Sequence, residues 1–405
     1  MKVLRILVTV VTLALCGCTV AGSPMPGPAP DTLDVGPFSR YPLIAPTTVS
    51  EAQGQILESI RMAEAMADPK AVDPALTVPL GGKRAVPLPT PAKAAGLLAD
   101  PVSAVLRQHG MLAGFTVGAT DTPAAVHASV GTGRLLQILV LRFPDSAAAQ
   151  QAAQEIDAVD FAVSPDNVAV AIPGHAAARG HWRPTVPTMA ATTAQDSFVI
   201  SVLVGERSPD QAALSSLAGK AFDAQIPLLR EFAPTPAGRF TELPLDRDGM
   251  LGRMVPEAPG RWPYPQVILG ELDPNAGWSN LLQARGIVYG PRGAELFQGR
   301  AVQPYELLAL NRFDRLVRYA DAAAARKQFA LLRDSATDGG HRLVPGPTGL
   351  VDVNCKENTT DSGASMTRFS CVLVFGRYLA LVLSRDYEDV RQRAAAQYAL
   401  LVNSE

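Results

Sequence analysis

A chain of 405 residues with 47% apolar and 18% charged side chains can bury two or three cores, which excludes an intrinsically disordered protein. Its 36 basic and 38 acidic residues nearly cancel, to a formal −2, and no basic run with interleaved aromatics occurs, which argues against nucleic acid as a partner. No segment supplies 18 uninterrupted apolar residues for a membrane span, since even "VLVFGRYLALVLS" is broken by Arg377.

In chain order, Lys2 and Arg5 precede an apolar run from Ile6 to Leu15, the layout of a secretory signal over residues 1–17. Leu15, Cys16, Gly17 and Cys18 resemble the bacterial lipobox, which makes Cys18 the acylated first residue of the mature chain and discards Cys16. Two or more acyl chains, each contributing about 0.8 kcal/mol per buried CH₂, anchor a protein stably. The expectation is a protein held to the extracytoplasmic face of the cell membrane by lipid alone. Loss of Lys2 and Arg5 takes the mature charge to about −4.

Residues 18–47 are rich in Pro, Gly and Ser and read as a tether. Residues 48–94 open with an amphipathic helix marked by Ile56, Ile60, Ala63 and Met66, with Ser50 and Gln53, or Thr48 and Glu51, as its capping box. From about residue 95 the chain repeats itself. A shift of 176 carries Ser103, Leu106, Gly110, Gly114, Arg142 and Asp145 onto Ser279, Leu282, Gly286, Gly290, Arg318 and Asp321. Later a shift of 179 lays "SVLVGERSPDQAA" over "ALVLSRDYEDVRQ". The sequence therefore predicts an α+β protein of two related lobes, 95–232 and 270–405, each an antiparallel sheet with helices packed on one face, ferredoxin-like or similar. Strand–helix pairs are expected to begin near Leu135 and Arg312, and the Pro/Gly-rich segment 233–269 reads as the linker.

In an exported chain Cys355 and Cys371 are expected to form a disulfide. "LVDVNC" and "CVLVF" read as neighbouring antiparallel strands, and each places its cysteine on the apolar face.

Several segments resemble an uncharacterised family of mycobacterial and nocardial cell-envelope lipoproteins: the lipobox, "LDVGPF", "ESIRMAEAMADPKAVDPAL", "LVLRFPDSAAAQQAA" and "DAAAARK". That resemblance implies export, lipidation and an actinobacterial envelope, and it brings no catalytic residues.

The motifs that carry chemistry are absent or incomplete in this sequence. His175 and His181 are the one close histidine pair and would need a third donor, such as His127, to hold a metal. His109 and His341 sit beside glycines at element ends. "GWSNL", Gly277 to Leu281, lacks the second glycine of a nucleophile elbow. "VGTGR", Val130 to Arg134, lacks the Lys-Ser/Thr of a phosphate loop, and "DRDG", Asp246 to Gly249, loses the later oxygens of a calcium loop. Both read as turns. Trp262 and Tyr264 in the linker read as exposed aromatics, as apt for a structural clamp as for stacking on a sugar. The sequence thus predicts no catalytic residue, cofactor or metal ligand. It points to a non-catalytic envelope module that binds a protein, glycan or lipid through the inter-lobe surface; a lipid or glycolipid carrier and an envelope hydrolase are the alternatives.

Overall fold

The computed structural model describes residues 27–80, 85–123, 128–271, 280–299, 302–334, 340–360 and 367–404. The signal segment, Cys18 and the start of the tether lie outside them, as do His127 and Gly277 to Ser279.

Helix α1 (Glu51–Met62) starts at a reciprocal cap: the Ser50 hydroxyl accepts from Gln53 N, and the Gln53 amide oxygen accepts from Ser50 N. The other helices of the first half are α2 (Pro69–Val72), α3 (Pro91–Ala95), α4 (Val102–Gln108), α5 (Ser146–Phe161) and α6 (Gln211–Glu231). The strands there are β1 (Val78–Pro79), β2 (Ala85–Pro87), β3 (Ala113–Thr120), β4 (Leu135–Arg142), β5 (Val168–Ala171), β6 (Arg179–Trp182), β7 (Thr188–Gln195) and β8 (Phe198–Gly205). They form an antiparallel sheet in the order β1-β3-β4-β8-β7-β6-β5, with β2 also paired to β3. The first lobe thus reaches back into the 48–94 segment, which supplies β1 and β2.

The second half carries β9 (Gln266–Glu271), β10 (Asn280–Tyr289), α7 (Pro291–Gln298), β11 (Tyr305–Asn311), β12 (Asp314–Tyr319), α8 (Ala322–Asp334), β13 (His341–Val344), β14 (Val353–Asn358), β15 (Phe369–Phe375), β16 (Tyr378–Ser384) and α9 (Tyr387–Val402). Its sheet runs β13-β14-β15-β16-β12-β11-β10-β9. The path β5-β6-β7-β8-β4-β3 of the first sheet and the path β13-β14-β15-β16-β12-β11 of the second match strand for strand. Both exceed the four-stranded ferredoxin-like unit.

The shift of 176 is sound across the strand-to-helix turn, where Asp145 and Asp321 each cap the following helix by accepting from the backbone N three residues on. It fails earlier. Ser103 and Leu106 lie in α4, whereas Leu282 lies in strand β10, and the helix that precedes β11 as α4 precedes β3 is α7. The later shift of 179 fails instead: strand pairing sets Phe198 over Tyr378, 180 apart, and the capping residues of the last helices, Asp210 and Asp386, are again 176 apart, because the loop before α6 is longer than the one before α9.

Helices cover both faces of each sheet, one more layer than the expected single covered face. In the first lobe His181 on β6 meets Asp157 of α5, while Met189 on β7 meets Ser215 of α6 from the opposite face. The reason is visible in β4: all eight positions of "LLQILVLR" are buried, so neither face is left for water. In the second lobe α8 lies over the face of Val317 and Leu379, and α9 over the face of Leu316 and Ala380.

Residues 27–47 are not a free tether. Leu33, Val35 and Phe38 enter the core under α9, Arg40 donates to the carbonyls of Pro30 and Leu33, and the Asn403 amide donates to the carbonyl of Arg40. Segment 233–269 is likewise packed. Leu245, Met250, Leu251, Met254 and Val255 are buried in the same core, and its last residues begin β9. Pro and Gly report the absence of regular structure in these stretches, and apolar side chains among them still bury.

Candidate functional site

The disulfide is formed: Cys355 and Cys371 are directly opposed on β14 and β15, with Cα atoms 4.1 Å apart. His175 and His181 are not brought together as ligands. His175 pairs with Asp223 of α6 on one side of the sheet, and His181 with Asp157 and Asp160 of α5 on the other. His109 caps α4 and approaches Glu155 at 3.0 Å. Among the described residues no group of three His, Cys, Asp or Glu is placed to hold a metal. Residues 130–134 form a turn, and Arg134 pairs with Asp73 and Glu206. At Asp246 the carboxylate accepts from Leu251 N and Gly252 N, so the "DRDG" stretch is a backbone turn. Trp262 is buried, contrary to the expectation of an exposed ring, while Tyr264 is exposed.

The surface between the lobes is mostly filled. Phe115 of β3 meets Tyr289 of β10 edge-on with ring centroids 6.3 Å apart, and Tyr289 stacks on Phe297. One apolar core runs from the first sheet through these rings into the second. Helix α1 wedges between the sheets, and beyond its end the Glu64 carboxylate accepts from the free N–H groups of Arg292 and Gly293 at the start of α7. Beside α1 remains a cavity of about 380 Å³ walled by Leu57, Ile60, Phe232, Leu243, Leu245 and Val288, with Arg61, Glu64 and Arg247 also lining it. Under its edge the Glu58 carboxylate is fully buried and accepts from Arg61, Arg142 and both the backbone N and hydroxyl of Thr235. Every lone-pair direction of Glu58 is used inside the protein, so it is a brace rather than a reactive acid.

Each lobe also has a cavity on the sheet face under its crossover helix. The first, of about 300 Å³, lies beneath the end of α5 and is lined by Gln137, Leu139, Asp160, His181, Ser201 and Leu203 among others. Burial acts to lower the His181 pKa, but hydrogen bonds and charge from Asp157 and Asp160 outweigh it and raise the imidazole from 6.5 to about 9. His181 is thus a neutralised imidazolium at pH 7. The second cavity, of about 400 Å³ beneath the end of α8, has an apolar floor of Val317, Val372, Leu379, Leu381 and Leu383, with Arg315, Lys356 and His341 around it. Burial pushes the Arg315 guanidinium down from its usual value, and its Nη1 donates to the Gln298 amide oxygen at 2.9 Å.

The residues of these cavities belong to no recognisable sequence motif. Gln137 inside "LLQILVLR", Arg315 inside "FDRLVRY" and Glu58 inside "QILESIRM" are polar residues on core-facing positions, and that interruption is the one signal the sequence carries.

Family models for a domain of unknown function, DUF7373, match this chain in two parts: the N-terminal model over residues 45–245 and the C-terminal model over residues 250–404. No curated protein matches the sequence. Among solved structures, the extracellular domain of PknH from Mycobacterium tuberculosis aligns with 41% of this chain and 94% of its own length, at 10% identity and a TM-score of 0.26.

Proposed function

We propose that this chain, which belongs to the DUF7373 family, is a non-catalytic binding module of the cell envelope that holds a small lipid-like ligand in the cavity between its lobes. The observation that carries the reading is that cavity. Seven apolar side chains from α1, the end of α6, segment 243–245 and β10 converge on about 380 Å³, a volume within the range of small-molecule sites. The walls belong to two cores that α1 and β10 join, so the site is preformed and needs no hinge.

In the same proposal an acylated Cys18 holds the module on the extracytoplasmic face of the membrane. Among the described residues no helix is long and apolar enough to cross a bilayer. Mass spectrometry of the mature N-terminus should find Cys18 diacylated or triacylated, and Cys18→Ala should move the protein to the soluble fraction. Equal membrane retention of that variant would refute the anchor.

Binding is tested by titrating the body with N-phenyl-1-naphthylamine, whose fluorescence rises in apolar surroundings. Leu243 is only half-buried, so Leu243→Trp fills the cavity without disturbing the deeper core. We expect at least tenfold weaker binding with an unchanged melting temperature. Binding that is equal in both proteins would reject the site.

A further inference from the structure

The duplicated sheets allow the two crossover-helix cavities to be compared position by position. In the first lobe Leu139 pairs with Ser201 on β8, and two residues on, Leu203 pairs with Ala190, which pairs with His181. In the second lobe Arg315 pairs with Leu381 on β16, and two residues on, Leu383 pairs with Ser370, which pairs with Lys356. Arg315 therefore stands where the first lobe has Leu139, and Lys356 where it has His181. In the first cavity, which Arg183 also lines, His181 is held by the two carboxylates Asp157 and Asp160. Helices α5 and α8 start in register at their capping aspartates, which puts Arg333 at the place of Asp157. The second lobe thus carries Arg315 in place of an apolar residue and Arg333 in place of one of the acids.

No acidic residue lines the second cavity among the described residues, and neither Arg315 nor Lys356 makes an ion pair. The Gln298 amide nitrogen beside Arg315 is buried without a hydrogen-bond acceptor. A desolvated cation without a counter-charge is costly, and an anion seated between these donors relieves the cost through charge-assisted hydrogen bonds. The remaining floor is aliphatic, which suits a hydrocarbon tail. We infer that the cavity under α8 is a second ligand site, independent of the inter-lobe cavity, for a single-chain amphiphile whose anionic head, carboxylate or phosphate, lies between Arg315, Lys356 and Gln298 and whose tail lies on Val317, Val372 and Leu379.

The test is isothermal titration of the folded body with dodecanoate, dodecyl phosphate, dodecanol and inorganic phosphate, in wild type, Arg315→Leu, Lys356→Gln and Leu243→Trp. Leucine is the residue the first lobe carries at the Arg315 position, and Lys356→Gln provides a second variant should Arg315→Leu fold poorly. The expected result is saturable binding of at least one anionic amphiphile, weakened at least tenfold by Arg315→Leu or Lys356→Gln and unchanged by Leu243→Trp. Dodecanol and inorganic phosphate should bind at least tenfold more weakly, and the stronger of the two amphiphiles identifies the head group. The inference is overturned if neither amphiphile binds, if the charge-removing variants bind as wild type does, or if inorganic phosphate matches dodecyl phosphate. Loss of amphiphile binding in Leu243→Trp alone would also overturn it, by assigning the ligand to the inter-lobe cavity.

Discussion

Two buried charged groups behave differently because their partners differ. Glu58 is shared among α1, β4 and segment 233–235, so Glu58→Ala leaves the Arg142 guanidinium, 3% exposed, without its carboxylate. Breaking a buried pair in this way costs about 3–5 kcal/mol, and urea denaturation should show a loss of that size. A loss under about 1 kcal/mol would mean that water replaces the carboxylate. His181 is held by Asp157 and Asp160. Its folded pKa of about 9 lies above the unfolded 6.5, so its stabilisation is complete below about pH 6.5 and disappears as the pH rises through about 9. At about 1.4 kcal/mol per pH unit the full effect is about 3 kcal/mol. Urea midpoints should therefore fall between pH 6 and pH 9.5 in the wild type, and that fall should be much smaller in His181→Gln.

At the scale of elements, the disulfide joins neighbouring strands 16 positions apart, and for a loop of that length its loss costs about 3 kcal/mol in the chain-entropy model. Reduction should lower the melting temperature, and an unchanged value would place the constraint elsewhere. The cysteine pair was legible because alternation in "DVNC" and "CVLVF" defines a shared face, and α1 was legible because its cap is local chemistry. The duplication was legible only where a helix cap and strand end are fixed by Asp145 and Asp321. Before that point helix α4 faces strand β10 at the same shift, and coincident glycines carry no information about which element holds them. Residues 27–47 misled because composition measures propensity, whereas Phe38 packs by contact with Arg393 and the α9 core. Phe38→Ala should cost about 3 kcal/mol, read by the same urea titration, and a cost near zero would make the segment a tether after all. The cavities were illegible for a related reason: Arg315 and Lys356 are far apart in sequence and come to line one cavity only through the pairing of β12, β16, β15 and β14.

For the whole molecule, the shared core through Phe115, Tyr289 and Phe297 makes the lobes one mechanical unit. Calorimetry should show one unfolding transition with equal calorimetric and van't Hoff enthalpies, and two separated transitions would mean independent lobes. A fused body favours a preformed cavity over a closing cleft, and this is the claim on which the functional reading depends. It is tested most directly by native mass spectrometry of the full-length protein released gently from its own envelope. A preformed cavity should give a mass excess of one small apolar molecule that is missing from Leu243→Trp and retained in Arg315→Leu; a bare wild-type mass, or the same adduct in Leu243→Trp, would contradict it.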